Sequence, residues 1–494
     1  MNAPCATLEP VTDLASPRPS PGGAPDPGLT ADDLVGVTAG RLLAHSSRLV
    51  LGAAVDSREV VSGNLFVALP GEQTDGHRFV GDAIAAGAAA ILVAQPPETP
   101  LPAGASVTVV QVDDTLRAFQ AIAAHWRARF DPLVVGVTGS IAKTSAKEAI
   151  ATVLASALVT LKNEGNKNNE IGLPLTLMRL RPDHQAAVLE MGMYTGGEIA
   201  ELAAMARPEI GVVTAVQPVH LSRIGTIEAV AKAKGELVEA LPSDGVAVLN
   251  GDDLRVRVMR KRTSARVIQY GFWRNAEVRA VDVSGAGLDG MAFTLVAPSG
   301  TRPVRIPTLG RLSVHNATAA AAVGLAAGLS IDQIVAALEL GWSAPHRIQV
   351  VRADGVTIID DSYNASVGSM TAALELLSDL PGRRIAVLGE MLELGENHDE
   401  MHRKLGFTSH RCWDQLLVVD GLPGGGAASL AEGAMIFHRD RVTPVGDRDA
   451  ARDRLLEILR PGDVVLVKAS RGIALDVLVD ELVAALGPAE DAAR

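Results

Sequence analysis

Cysteine is almost missing: Cys5 and Cys412 are the only two in 494 residues. Two thiols make neither a disulfide framework nor a metal cluster, which suits a reducing compartment, and a cytoplasmic place is expected. Basic runs are missing as well. The formal net charge is −12 and no stretch of Lys and Arg has useful length, so a nucleic-acid partner is not expected. No segment reads as a membrane span. The longest uncharged stretch, LSVHNATAAAAVGLAAGLSI (312–331), is mostly Ala and Gly and carries His315 and Asn316. It reads as a buried helix packed closely on a neighbour, and no membrane insertion is expected. Residues 1–30 lack the basic start and apolar stretch of a signal peptide. They are rich in Pro, Ala and Gly, and a disordered tail is expected there.

What is present is a soluble, globular composition, 48% hydrophobic and 21% charged, at a length that suggests about three domains. Residues 31–113 read as a small α/β domain. Thr30 precedes Asp32 and Asp33 as a helix cap, and LFVALPG (65–71), AAILVA (89–94) and SVTVVQV (106–112) read as short strands. A connecting helix is expected over 115–130, ended by Pro132. Residues 114–328 then show apolar strands at 133–139, 186–192, 210–216 and 245–250, each followed by a helical pattern. That is the βαβ rhythm of a doubly wound, mostly parallel sheet. Residues 329–494 repeat it, with strands at 355–361, 383–389, 415–421 and 463–469, as a Rossmann-like open α/β sheet.

One stretch carries chemistry on its face. GVTGSIAKTS (136–145) follows a strand and precedes a helix. Thr138 ends the strand, Gly139, Ser140, Ile141 and Ala142 make the turn, and Lys143, Thr144 and Ser145 open the helix. Such a turn aims backbone N–H groups and the helix dipole at an anion, so a nucleotide such as ATP is expected. Lys143 would reach the β- and γ-phosphates, and the Thr144 hydroxyl would bind Mg²⁺. The P-loop pattern wants glycine where Ala142 stands. If that position needs φ > 0, alanine costs roughly 1 kcal/mol. A loop without a nucleotide is the bland alternative. NKNN (166–169) lacks the aspartate of a guanine-reading N-K-x-D, which argues against a GTPase. A small-molecule kinase fits the loop but leaves three domains unexplained. Glu190, ending the strand beside the P-loop strand, is where an α/β enzyme holds Mg²⁺. His220 follows the next strand and Lys234 lies on a helix. Taken singly, each is as readily a polar contact or a solvated face.

Together these segments resemble the Mur ligases of bacterial cell-wall synthesis, over almost everything after the tail. GVTGSIAKTSAKE is similar to the family's ATP loop, and GNKNNEIGLPLTL (165–177), with Asn166 and Asn169, to the segment after it. LEMGMYTGGEI (189–199) carries Glu190, and HLSRIGTIEAVAKAKGE (220–236) carries His220 and Lys234 at the family's spacing. AVLNGDD (247–253) resembles the adenine-side motif. DDSYNAS (360–366) and VLGEMLELGENHDEMH (387–402) resemble the branch that adds D-alanyl-D-alanine, and KASRG (468–472) resembles its late Lys-Gly-Ser-Arg. DSREVVSGNLFVALPGEQTDGHRFVGDAIAAGA (56–88) is similar to the family's UDP-sugar-binding domain.

The resemblance implies a ligase of three domains: UDP-sugar-binding (31–113), ATP-binding (114–328) and C-terminal ligase (329–494). It would join D-alanyl-D-alanine to UDP-N-acetylmuramoyl-tripeptide through an acyl phosphate, with ATP and Mg²⁺, for peptidoglycan synthesis. It implies that Lys143, Glu190, His220 and Lys234 are catalytic. Thr144 and Glu190 would hold one Mg²⁺, and His220 and a carbamylated Lys234 a second. Asn250 and Arg347 would contact ATP from opposite sides, with Asp361 and Tyr363 on the third domain's side. Ser57, Asp75, Gly76, His77, Asn166, Asn169 and Asn364 would bind substrate. A monomer is expected. Departures are Ala142; Leu312 and Ser313 where His and Asn are usual; His346 where glycine is common; Ser366-Val367 for Asn-Pro; and Ala469 for glycine. Two other readings stay open: a ligase on this scaffold with a different amine, and a non-catalytic binder of UDP-muramoyl peptide.

Overall fold

The computed structural model describes residues 28–71, 74–97, 106–219, 221–421 and 425–487. Their strands form three sheets. The first holds β1 (Arg41–Ala44), β2 (Gly52–Ala54), β3 (Asn64–Val67), β4 (Ala90–Val93) and β5 (Thr108–Gln111), in the order β1-β5-β4-β3-β2. Only β1 runs antiparallel to its neighbour. Leu29 pairs with Val50 in an antiparallel bridge and is buried. The tail expected over 1–30 therefore does not reach residue 30. Thr30 caps the helix Ala31–Thr38 in a capping box with Asp33, as its sequence suggests.

The second sheet holds β6 (Leu133–Thr138), β7 (Thr160–Lys162), β8 (Ala186–Glu190), β9 (Ile210–Val213), β10 (Val246–Asn250), β11 (Arg266–Gly271), β12 (Val278–Gly285), β13 (Met291–Ala297) and β14 (Gly300–Ile306). Its order is β14-β13-β12-β11-β10-β9-β6-β8-β7. Seven parallel strands, the last of them β12, are continued by the antiparallel strands β13 and β14. The phosphate-loop strand β6 lies between β8 and β9, so Glu190 at the end of β8 sits beside the loop. The strands β6, β8, β9 and β10 are buried along their whole length, which is why they read as unbroken apolar runs.

The small-residue helix Arg311–Ala326 packs on the helix Lys143–Ala155. A Cβ on Gly324 would come within 2.8 Å of Val153 Cγ1, so glycine permits the close approach. The connecting helix Thr115–Arg127 buries Phe119, Ile122, Ala123 and Trp126 in one continuous core with Leu34, Leu65, Leu173 and Leu189. Each fully buried Leu or Phe there contributes about 1.5–3 kcal/mol, and the shared core fixes the first unit on the second.

The third sheet holds β15 (Gln349–Ala353), β16 (Val356–Asp360), β17 (Arg383–Leu388), β18 (Gln415–Val419), β19 (Val442–Val445) and β20 (Asp463–Lys468), ordered β15-β16-β20-β17-β18-β19. All but β15 are parallel. The boundary expected at 328/329 cuts through a shared core. The next helix, Ile331–Glu339, buries Ile331, Ile334, Ala337 and Leu338 with Val153, Val323 and Leu325 of the central unit. The chain leaves that core only after this helix. Among the described residues no helix is long and apolar enough to cross a membrane.

Candidate active site

A cleft of about 1360 Å³ lies between the central and third units. The phosphate loop forms one wall. Gly139 has φ +152°, and a Cβ there would fall 1.9 Å from Thr214 Oγ1, so only glycine fits. Ser140 and Gln217 are tied by two hydrogen bonds, and Thr214 Oγ1 donates to the Ile141 carbonyl at 2.6 Å. Ala142 is left-handed, φ +63° and ψ 4°, and is the residue before the helix. The position does need positive φ, and alanine accepts it at a cost of roughly 1 kcal/mol. Its methyl group cannot cap the helix, so the first N–H groups remain for a ligand's oxygens.

At the helix start, the Thr144 hydroxyl donates to Glu190 Oε2 at 2.8 Å, both residues being buried. Asn168 Nδ2 donates to Glu190 Oε1 at 2.7 Å. Asn163 grips the Glu190 backbone twice, its Oδ1 accepting from Glu190 N at 2.9 Å and its Nδ2 donating to Glu190 O at 3.2 Å. The carboxylate is thus oriented by Asn168 and Thr144, and the backbone that carries it by Asn163.

Two lysines complete this wall. Burial pushes the Lys143 ammonium below its usual range; Glu190 opposes the shift and Arg347 adds to it. Lys234, on the helix Ile227–Glu239, is 2% exposed. Burial first, and then the Lys143 charge, drive it well below the ordinary lysine value, with Glu190 opposing.

The facing wall belongs to the third unit. Lys468, ending β20, reaches Asp361 Oδ2 at 2.5 Å and the Asn364 carbonyl at 2.9 Å. Burial raises the Asp361 carboxyl, and Lys468 holds it back. The Tyr363 ring lies under the Arg347 guanidinium at 4.1 Å and the Arg471 guanidinium at 5.4 Å.

Ser140, Ile141, Ala142, Lys143, Thr144, Ser145, Asn166, Asn169, Glu190, Lys234, Arg347, Asp361, Tyr363 and Asn364 all line this cleft. The rest are placed elsewhere. Thr138 is fully buried and donates to the Met191 carbonyl, which makes it a brace behind the loop. Asn250 spends its carboxamide on the Thr214 carbonyl at 2.6 Å and the Asp252 N–H at 2.8 Å, off the cleft wall. His77 is consumed by its own turn: Nε2 accepts from Ala94 N at 2.8 Å, and Nδ1 donates to Asp75 at 2.6 Å. Gly76 N–H bonds Leu69 O at 2.9 Å. Ser57 begins a short 3₁₀ turn capped by Asp56, and neighbouring Glu59 approaches Lys167 of the NKNN loop at 3.9 Å. His220 lies outside the described residues.

Asn168 is the residue that sequence reasoning passed over. It stands between Asn166 and Asn169 in a polar run directly after β7, and only contact with Glu190 singles it out. Lys468 and Arg471 were visible in KASRG, but not their pairing with Asp361 and Tyr363. Phe272, with Arg311 above its ring at 4.7 Å, also lines the cleft.

Thr144 and Glu190 offer hard oxygen donors beside a helix N-terminus, a set that fits Mg²⁺ completed by phosphate and water. Among the described residues no cluster of three His, Cys, Asp or Glu forms a metal site.

Comparison with known proteins places this geometry. Residues 51–127 match the Mur ligase family catalytic domain, 137–324 the Mur ligase middle domain, and 346–471 the Mur ligase glutamate ligase domain. The chain is 36% identical to the UDP-N-acetylmuramoyl-tripeptide–D-alanyl-D-alanine ligase of Escherichia coli K12, over 86% of this chain and 92% of that one. It is 39% identical to the Mycobacterium tuberculosis H37Rv ligase of the same name, over 87% and 91%. Among solved structures, it is similar to MurF from Acinetobacter baumannii, with a TM-score of 0.83 and 28% identity over 93% of this chain and 100% of that one. The MurF ligase of Thermotoga maritima in complex with ADP aligns with a TM-score of 0.77 and 27% identity, over 88% and 97%. With all three units matched and such identity spanning most of both chains, the chain belongs to the Mur ligase family.

Proposed function

We propose that this chain is an ATP-dependent ligase that joins D-alanyl-D-alanine to UDP-N-acetylmuramoyl-tripeptide, yielding the UDP-linked pentapeptide used in peptidoglycan synthesis. The observation that carries the reading is the convergence of Thr144, Asn168 and Glu190 beside Lys143, in a cleft whose other wall is a separate unit bearing Arg347, Lys468 and Arg471. A phosphate site facing a second unit suits a reaction with three substrates. The curated relatives carry the same activity in their names, and the Thermotoga maritima neighbour holds ADP.

An oxygen of the tripeptide's terminal carboxylate attacks the γ-phosphorus of ATP, and the bond to ADP breaks. The acyl phosphate then takes the amine of D-alanyl-D-alanine at its carbonyl carbon. The new C–N bond forms, the tetrahedral centre collapses with loss of phosphate, and the amine's proton leaves. Lys143 stabilises charge on the transferring phosphoryl group. Arg347 adds positive charge from across the cleft. Thr144 and Glu190 would hold Mg²⁺, which supplies charge neutralisation at the phosphates; Asn168 and Asn163 keep the carboxylate in place. Excluding water between the units protects the hydrolysable acyl phosphate.

Lys234 takes the role of a neutral amine that adds CO₂. The ammonium first gives up one proton; the neutral nitrogen then bonds the carbon of CO₂ and gives up a second, so a cation becomes an anionic carbamate. Lys234 and His220 would then serve a second Mg²⁺. The first sheet would bind the UDP-sugar and the third unit D-alanyl-D-alanine. The short polar turns at Ser57 and Asp75 lie in the first unit, with Glu59 near the NKNN loop. A cytoplasmic monomer is the form expected. The test is phosphate release from ATP with UDP-N-acetylmuramoyl-tripeptide, with and without D-alanyl-D-alanine. Release that depends on both acceptors supports the reading. Release without ligation, or with a different amine only, overturns it.

A further inference from the structure

The segment joining the central and third units, residues 340–348, carries two left-handed residues that are not glycine. His346 has φ +56° and Ile348 φ +51°. For a β-branched side chain such as Ile348 this is an outlier, and such conformations persist only where the surroundings over-determine them. Here the surroundings are the end of β16. His346 Nδ1 donates to Asp360 Oδ2 at 2.7 Å. Asp360 is 2% exposed and accepts two further bonds on Oδ1, from Ser362 N at 3.0 Å and Ser362 Oγ at 2.5 Å. The His346 carbonyl accepts the Tyr363 N–H at 3.1 Å. The Ile348 N–H favours the charged form of the Asp361 carboxylate. The residue before Arg347 is therefore tied to Asp360, the one after it faces Asp361, and Arg347 projects onto the Tyr363 ring.

We infer that His346 is a positioning residue: its imidazole–Asp360 bond locks the linker to the third unit, so that Arg347 is carried with that unit to the phosphate side of the cleft. Glycine would take φ +56° without strain, but it has no side chain to reach Asp360. The ring is what couples linker geometry to β16. Without it, the linker would flex about residues 346–348, the kind of joint that absorbs the φ/ψ change of unit closure. Arg347 would then sample other directions, and the third unit would close without delivering it. The effect belongs to the turnover step rather than to nucleotide binding, because the loop that holds the phosphates lies on the other wall.

The inference rests on the proposed ligase reaction, and the experiment separates the two. Steady-state ligation by the full-length chain is compared for wild type, His346→Gly and His346→Asn, alongside thermal unfolding. His346→Gly relieves the backbone strain but takes the donor from buried Asp360 Oδ2, so the protein should stay folded with its unfolding midpoint lowered by only a few degrees. Its kcat should fall about tenfold, misplacement of one charged group being enough for this, while KM for ATP stays within about twofold. His346→Asn tolerates the left-handed conformation and offers an N–H to Asp360, so it should recover most of kcat. Combining His346→Gly with Arg347→Lys should give a loss no greater than Arg347→Lys alone, because both act through one guanidinium. Wild-type kcat in His346→Gly, no rescue by His346→Asn, or additive losses would overturn the positioning role. Absence of ligation by wild type would instead overturn the proposed function.

Discussion

Two buried lysines face each other across the cleft, and their surroundings differ. Lys468 is 1% exposed and has directed acceptors: Asp361 Oδ2 at 2.5 Å, Asn364 O at 2.9 Å and Asp361 O at 3.4 Å. Lys234 is 2% exposed and feels instead the positive charge of Lys143, offset in part by Glu190. The first is a structural cation that holds the end of β20 to the turn after β16. The second is forced toward the neutral amine. Burial alone does not decide the state of a lysine; the acceptors within reach do. That difference separates a lysine that supports the third unit from one available for chemistry.

The contrast can be broken most sharply at the chemical lysines. Lys143→Ala should leave the protein folded and lower kcat at least about a hundredfold, as expected when a group stabilising transition-state charge is removed. Lys234→Ala should be comparably impaired, but acetate or another short carboxylic acid should restore part of its turnover by standing in for the carbamate. Mass spectrometry of the native enzyme under CO₂ should show the added mass on Lys234. Full activity of Lys234→Ala without added acid would end the ligand role.

Next comes the structural lysine. Lys468→Met strands Asp361 as a buried carboxylate and should cost about 3 kcal/mol in denaturant unfolding. The double variant Lys468→Met/Asp361→Asn should regain much of that loss, since no net charge then remains buried. Equal destabilisation of the two variants would show that the pair is not the reason.

Lys234 should also leave a pH signature. Its native pKa lies well below the ordinary 10.5. Between the two values the unfolded chain binds the extra proton, so stability rises with pH across that window, by at most about 1.4 kcal/mol per unit. Below the native pKa the contribution is flat. The difference between wild type and Lys234→Met, measured by urea unfolding in CO₂-free buffer, isolates the slope. A difference independent of pH would mean that Lys234 stays charged.

Smaller effects follow at the supports. Asn168→Ala should weaken Mg²⁺ activation about tenfold while leaving the fold intact, because Glu190 loses one of its orienting donors. Ala142→Gly should be the mildest change. It should gain about 1 kcal/mol of stability or less through relief of the left-handed alanine, and activity should stay similar or rise. A large loss there would mean the loop is adapted to the methyl group.

The central strands β3 to β6, β8 to β10, β16 to β18 and β20 were legible because each is an apolar run between turn residues, and a buried strand has nothing else to be. The edge strands β1, β2, β7, β15 and β19, the strand β11 and the meander β12–β14 were not read. The meander's strands mix buried with half-buried or exposed residues, alternating buried and half-buried in Met291–Ala297, and carry ordinary polar side chains. Nor did composition mark the end of the central unit, since Ile331–Glu339 is an amphipathic helix like those on either side of the expected boundary. The phosphate loop could be read from GVTGSIAKTS because its residues are neighbours in the chain, and backbone N–H groups acting as ligands need only the right local turn. Glu190 followed from the same logic, as the end of the adjacent strand.

What the tertiary structure decided was the partner of each polar side chain. His77 and Asp75 stood in a motif and proved to spend their polar atoms on each other and on Ala94. Asn250 is spent on Thr214 and Asp252. Asn168, indistinguishable from its neighbours in NKNN, is the one that holds Glu190. Local periodicity and a short contiguous motif marked the buried strands and the phosphate loop, while the reaction class came from the resemblance of several such motifs to the Mur ligases. Only the fold decided whether Lys234 or Lys468 meets a carboxylate, since hydrogen bonds and charges act over a few ångströms in space, between residues 107 positions apart in the case of Asp361 and Lys468.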